Sequence, residues 1–213
     1  MLAYLHGFAS GPASAKARIV AERFAQLGVH VERPDLTPGD EGFERSTPLS
    51  MLAVAEQTLA HGIPPHAMLG SSLGGYLAAV TASRDPSVQR LVLLAPAFRL
   101  AGRWREAMGP EALAAWKKDG FETFHHTAGR TRRIDYAFLE GADQLPAFPQ
   151  VSVPTLCIAA ARDTLVLLSD VERFVAQTPQ ARLLVLDDTH DLTAFIDRIW
   201  DEARAFLAPF TGV

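Results

Sequence analysis

The chain has 213 residues, 48% hydrophobic and 21% charged, a balance that fits one globular domain able to bury a core without metal or disulfide staples and excludes a disordered or fibrous chain. Its 20 basic and 24 acidic residues leave a formal charge of -4, so no overall positive field would gather nucleic acid or anionic lipid. A single cysteine, Cys157, excludes an intrachain disulfide and fits a reducing compartment; no apolar run reaches the roughly 18 residues of a spanning helix, and MLAYLHGFAS lacks the basic flank of a signal peptide. A cytoplasmic protein is expected.

Short apolar runs alternate with stretches of helical period, which predicts a doubly wound, mostly parallel six-stranded α/β sheet with helices on both faces. Residues 1–5 read as the first strand and 14–27 as a helix, with Ala17, Val20, Ala21, Phe24 and Leu27 at spacings of three and four, stopped by Gly28. A short second strand at 29–33 leads into a loop rich in Pro, Gly and Asp at 34–42 and a helix near 48–60. The third strand, 67–69, precedes a buried helix at 73–83, and RLVLLA at 90–95 is a fourth strand buried on both faces.

Across 97–149 the alternation stops. The segment holds two tryptophans, many charges, helical stretches such as 111–118 and no convincing strand, and it reads as a small helical cap inserted into a single domain spanning 1–213. Regularity returns with a fifth strand at 154–160, a helix at 169–177 marked by a capping box of Ser169 and Glu172, a sixth strand at 183–186 and a closing helix at 192–207.

Between the third strand and its helix, Gly70-Ser71-Ser72-Leu73-Gly74 satisfies G-x-S-x-G, the pattern of a nucleophile held on a sharp strand-to-helix turn. Such a turn strains the serine backbone, and side chains two residues before and after it would strike neighbouring backbone. Gly70 and Gly74 remove them around Ser72, whereas Ser71 has Leu69 two residues before it. At a helix N-terminus, Ser72 would also develop its oxyanion near free N–H groups and the positive end of the dipole.

A serine hydroxyl needs a base within hydrogen-bond reach and a group that fixes the tautomer of that base. In this arrangement the chain order is serine, acid, histidine. Of the histidines after Ser72, His125 and His126 fall in the cap, while His190 follows the sixth strand, where a loop at the carboxyl edge of a parallel sheet places it beside other strand ends. Asp163, three residues beyond the fifth strand, is the candidate acid; Asp187 and Asp188 are too near His190 in sequence, and Asp170 falls on the following helix. The turn His6-Gly7 after the first strand would bring the Phe8 N–H to the same edge, making Phe8 and Leu73 the expected oxyanion donors, with a structural role for the His6 side chain.

YLHGFASGPASAKA, GSSLGGYLAA, VPTLCIAAARDTLV and VLDDTHDL together resemble the small bacterial YqiA-like esterases of the α/β-hydrolase superfamily over nearly the whole chain. The resemblance implies Ser72, Asp163 and His190 as a catalytic triad and Phe8 and Leu73 as oxyanion donors. The sequence departs from many relatives in carrying Ala159-Ala160-Ala161 where they have a His-Gly pair.

The expected activity is hydrolysis of a small carboxylic ester or thioester through an acyl-enzyme, with no metal or organic cofactor, no nucleic-acid or membrane partner, and a short acyl or small aromatic group preferred. A peptidase or acyltransferase on the same triad, or a ligand-binding relative without turnover, are the alternatives. Trp104, Trp116, Phe121 and Phe124 either line an acyl pocket or pack the cap itself. Arg130, Arg132 and Arg133 are expected on a solvated face, His125-His126 as loop residues rather than metal ligands, and Cys157 as an inert core thiol. The sequence leaves the oligomeric state open.

Overall fold

A computed structural model describes residues 1–38 and 42–213. The described residues form strands β1 (Leu2–Leu5), β2 (Val31–Glu32), β3 (His66–Ser71), β4 (Val88–Leu94), β5 (Phe121–His125), β6 (Arg130–Ile134), β7 (Thr155–Ala160) and β8 (Ala181–Leu186). They also form helices α1 (Ala15–Gln26), α2 (Gly42–Arg45), α3 (Pro48–His61), α4 (Leu73–Arg84), α5 (Leu100–Asp119), α6 (Ala137–Asp143), α7 (Leu168–Gln177) and α8 (Ile196–Thr211). Six strands make one sheet in the order β2-β1-β3-β4-β7-β8, and every neighbouring pair is parallel.

The near-continuous apolar character of the central strands follows from burial on both faces. Alternate residues point to opposite sides: Leu2, Tyr4, Ala67, Leu69, Val92, Leu94, Leu156 and Ile158 share one core with Val20 and Phe24 of α1 and Ile199 and Leu207 of α8. Leu5, Met68, Leu91, Leu93, Cys157 and Ala159 share the other with residues of α3, α4 and α7. From β1 the chain steps out to β2 and then returns to the other side of β1 as β3. The carboxyl ends of β1 and β3 therefore lie at a topological switch point, where α/β sheets open a crevice.

The segment 97–149 departs from the purely helical reading. It contains α5, kinked at Gly109 (φ 73°) before Pro110, the short helix α6, and an antiparallel hairpin of β5 and β6 with Phe121 opposite Ile134 and His125 opposite Arg130. The hairpin strands have five residues each, and Arg130-Thr-Arg-Arg-Ile is too polar to register as a buried strand. Trp116 forms the centre of this segment. It is 1% exposed, donates from Nε1 to the Ile134 carbonyl, and packs against Trp104, Phe121 and Phe138.

Three boundaries differ from expectation. Ser169 and Glu172 form no capping box: the N-cap of α7 is Leu167, so Ser169 already lies inside the helix. A capping box closes α3 instead, where Thr47 and Ser50 exchange side-chain-to-backbone bonds. Helix α8 begins at Ile196 rather than 192, because Leu192 sits at φ 52° in the preceding loop. The polar loop expected at 34–42 runs into α2, and its residues 39–41 lie outside the described residues.

Candidate active site

Strand β3 ends at Ser71 and α4 starts at Leu73, which leaves Ser72 alone on the turn with φ 54° and ψ -118°. A non-glycine residue in this region costs on the order of 1–3 kcal/mol. The surroundings over-determine it: Ser72 N donates to Leu94 O at 2.8 Å, and the Tyr76 and Ala97 N–H groups donate to Ser72 O at 3.0 and 3.1 Å. A Cβ on Gly70 would stand 2.4 Å from Gly74 O, and one on Gly74 would stand 2.2 Å from Leu5 O and 2.4 Å from His6 O. Both glycines are therefore steric requirements of the turn.

The loops after β7 and β8 bring the other two candidates to Ser72. His190 Nε2 lies 3.1 Å from Ser72 Oγ, and His190 Nδ1 lies 2.7 Å from Asp163 Oδ2. Asp163 Oδ1 accepts from the N–H groups of Leu165 and Val166, both at 2.9 Å. Burial acts to raise the Asp163 carboxyl, but the bond from His190 and the two amides hold it below its usual value. An ionised Asp163 fixes the proton on Nδ1 and leaves the Nε2 lone pair facing the serine. The loop carrying His190 is shaped by Asp188, which is buried and accepts from the Thr189 and Ala194 N–H groups.

Leu73 is the first residue of α4, so its N–H has no helix carbonyl four residues back. The turn Gly7-Phe8 lies against the elbow, close enough that a Cβ on Gly7 would be 3.3 Å from Ser71 O. His6 holds that turn. It is 3% exposed, its Nε2 accepts from Leu36 N at 3.1 Å and its Nδ1 donates to Gly7 O at 3.0 Å. Ser72, Leu73, Phe8 and His190 line one cavity of about 620 Å³, within the usual range for small-molecule sites.

Leu100, Trp104, Met108, Phe124 and Val166 give this cavity an apolar wall under the cap. Of the cap aromatics singled out from the sequence, Trp104 and Phe124 line the cavity. Trp116 and Phe121 do not; they support Trp104 from behind. Arg130 and Arg133 are exposed, but Arg132 departs from the solvated-face expectation. Its side chain is 9% exposed, over the Phe43 ring and 3.9 Å from Glu44. His125 is buried against Phe43, its Nδ1 accepting from Ala128 N, whereas His126 lines the cavity. Lys16 and Arg103 also line the cavity and went unassigned in the sequence. For Lys16 a signal was present: a cation in the first turn of a helix opposes the dipole.

Residues 1–207 match the uncharacterised protein family UPF0227. The chain is a member of UPF0227. This UPF0227 protein is 26% identical over 221 residues to a pimeloyl-(acyl-carrier protein) methyl ester esterase of Xanthomonas oryzae pv. oryzae, spanning 87% of this chain and 85% of the relative. Two solved structures share its fold. Alpha/beta hydrolase domain-containing protein 10 from mouse superposes with TM-score 0.79 at 19% identity, covering 98% of this chain and 89% of that one. Est1E from Butyrivibrio proteoclasticus, with ferulic acid bound, gives 0.82 at 17%, covering 100% and 90%. The UPF0227 protein thus has the α/β-hydrolase fold, in accord with the resemblance to YqiA-like proteins read from its motifs.

Proposed function

We propose that the protein is a serine hydrolase that cleaves a small carboxylic ester or thioester. The observation that carries this reading is the unbroken series Ser72 Oγ, His190 Nε2, His190 Nδ1, Asp163 Oδ2, with contacts of 3.1 and 2.7 Å. Ser72 Oγ attacks the acyl carbon while His190 Nε2 takes its proton. The carbonyl oxygen becomes an oxyanion that accepts from the N–H groups of Leu73 and Phe8, a stabilisation absent for the flatter ground state. Collapse of the tetrahedral species breaks the bond to the leaving oxygen or sulfur, which collects the proton from Nε2. Water, deprotonated by the same nitrogen, then attacks the acyl-enzyme; as the acyl–Oγ bond breaks, Nε2 returns its proton to Oγ, releasing the acid and regenerating Ser72 and neutral His190.

The esterase name of the Xanthomonas relative supports ester chemistry, and the apolar wall of a cavity of about 620 Å³ suits a short acyl or small aromatic group. Labelling with a fluorophosphonate, combined with hydrolysis of p-nitrophenyl esters of increasing chain length and of acyl-thioesters, tests the reading. Labelling and turnover in the native protein, both lost in Ser72→Ala, are expected. A folded native protein that neither reacts with the probe nor turns over any ester would overturn it in favour of a binding role.

A further inference from the structure

The cavity holds a lysine, Lys16, that the hydrolytic steps do not use. Lys16 lines it together with Ser10, Ser14, His190 and Asp191. Its Nζ gives one of three donors to the Asp191 carbonyl at 2.8 Å, and no carboxylate of the described residues comes within 4.0 Å of it. The nearby carboxylates of Asp163 and Asp188 are already occupied by His190 and backbone amides, and Asp191 is an exposed residue. Helix physics gives no reason for Lys16: it stands in the first turn of α1, which contains no acidic residue and whose N-cap Ser14 makes no side-chain cap bond. Burial pulls the ammonium below its ordinary value against the attraction of Asp191, Asp163 and Asp188.

We propose that the part of the cavity around Lys16 is a subsite for an anionic oxygen group, carboxylate or phosphate, on the leaving-group side of the substrate, with Lys16 as its counter-ion and Ser10 and Ser14 as further donors. The side follows from the chemistry: the departing atom must reach His190 Nε2, and Lys16 is moored to the residue next to His190, whereas the acyl portion has the apolar wall of Trp104 and Met108. The inference rests on the hydrolase reading and narrows its substrate class.

The test compares kcat/KM for 4-carboxyphenyl butyrate and 4-phosphooxyphenyl butyrate with that for the neutral methyl ester of the former, in the native protein, Lys16→Met and Lys16→Arg. A preference of about tenfold for an anionic ester is expected, lost in Lys16→Met, largely kept in Lys16→Arg, and weakened by added salt in the native protein. The larger of the two preferences identifies carboxylate or phosphate. An equal loss on all three esters in Lys16→Met, with no salt-sensitive preference in the native protein, would overturn the subsite and leave Lys16 as a mooring for the His190 loop. Cleavage of none of the esters would instead count against the hydrolase reading. Calorimetric titration with 4-hydroxybenzoate and 4-hydroxyphenyl phosphate then decides the subsite, equal affinity in native and Lys16→Met protein rejecting it.

Discussion

Replacing Asp163 by Asn keeps the shape of the side chain and reverses one of its hydrogen-bonding atoms. Oδ1 receives two N–H groups at 2.9 Å, so the amide oxygen must occupy that place. Turning the NH2 there would forfeit two bonds of about 1 kcal/mol each and set donor against donor. The NH2 is thereby directed at His190 Nδ1, 2.7 Å from the present Oδ2. A donor there forces the imidazole to accept on Nδ1 and carry its proton on Nε2, facing Ser72 with nothing to take the hydroxyl proton. Loss of about 10⁴ in kcat, or about 5 kcal/mol of transition-state stabilisation, is expected for such a wrong tautomer. The assay is p-nitrophenyl butyrate hydrolysis beside a thermal melt. A cooperatively folded Asp163→Asn protein within tenfold of native activity would refute the reasoning.

Other outcomes follow from the same geometry. Gly74→Ala places a methyl 2.2 Å from Leu5 O and is expected to lower stability by more than about 2 kcal/mol in urea denaturation. Gly28→Ala, which meets nothing within 4 Å but sits at φ 77°, is expected to cost only about 1 kcal/mol; equal costs would contradict the steric account. The Asp163 carboxyl lies below its ordinary 3.8 in the folded protein, so the unfolded chain binds its proton first as pH falls. Its stabilising contribution is complete well above 3.8 and is lost as pH drops through the folded value. Stability measured between pH 5 and pH 2.5, on the order of that window, is expected to fall less steeply in Asp163→Asn than in the native protein, and parallel curves would show that Asp163 is not linked to folding.

The sheet was legible because its central strands are buried on both faces and so show as unbroken apolar runs bounded by turn residues. Ser72, Asp163 and His190 were legible for another reason: G-x-S-x-G is a local steric pattern, and chain order then filters the histidines and carboxylates that follow. The hairpin of β5 and β6 was hidden because its strands are short and carry Arg and Glu between their few apolar residues. The false capping box at Ser169 shows a local motif overridden by the loop before it, where Asp163 claims the Leu165 and Val166 amides and the helix starts a residue early. Which aromatics face the cavity was equally hidden, since Trp104 and Trp116 differ only in how the kinked α5 presents them. Lys16 carried its signal in its helix position alone.

The order of the sheet gives the three groups unequal footing. Ser72 is set into the middle of the sheet, with backbone bonds on both sides of the turn, while His190 hangs beyond β8, an outermost strand with a single paired neighbour. Margins fray before centres. Mild warming or low denaturant would therefore detach the imidazole from an intact, still-strained serine, and such a protein would keep its bulk architecture while the contact between Ser72 Oγ and His190 Nε2 was broken.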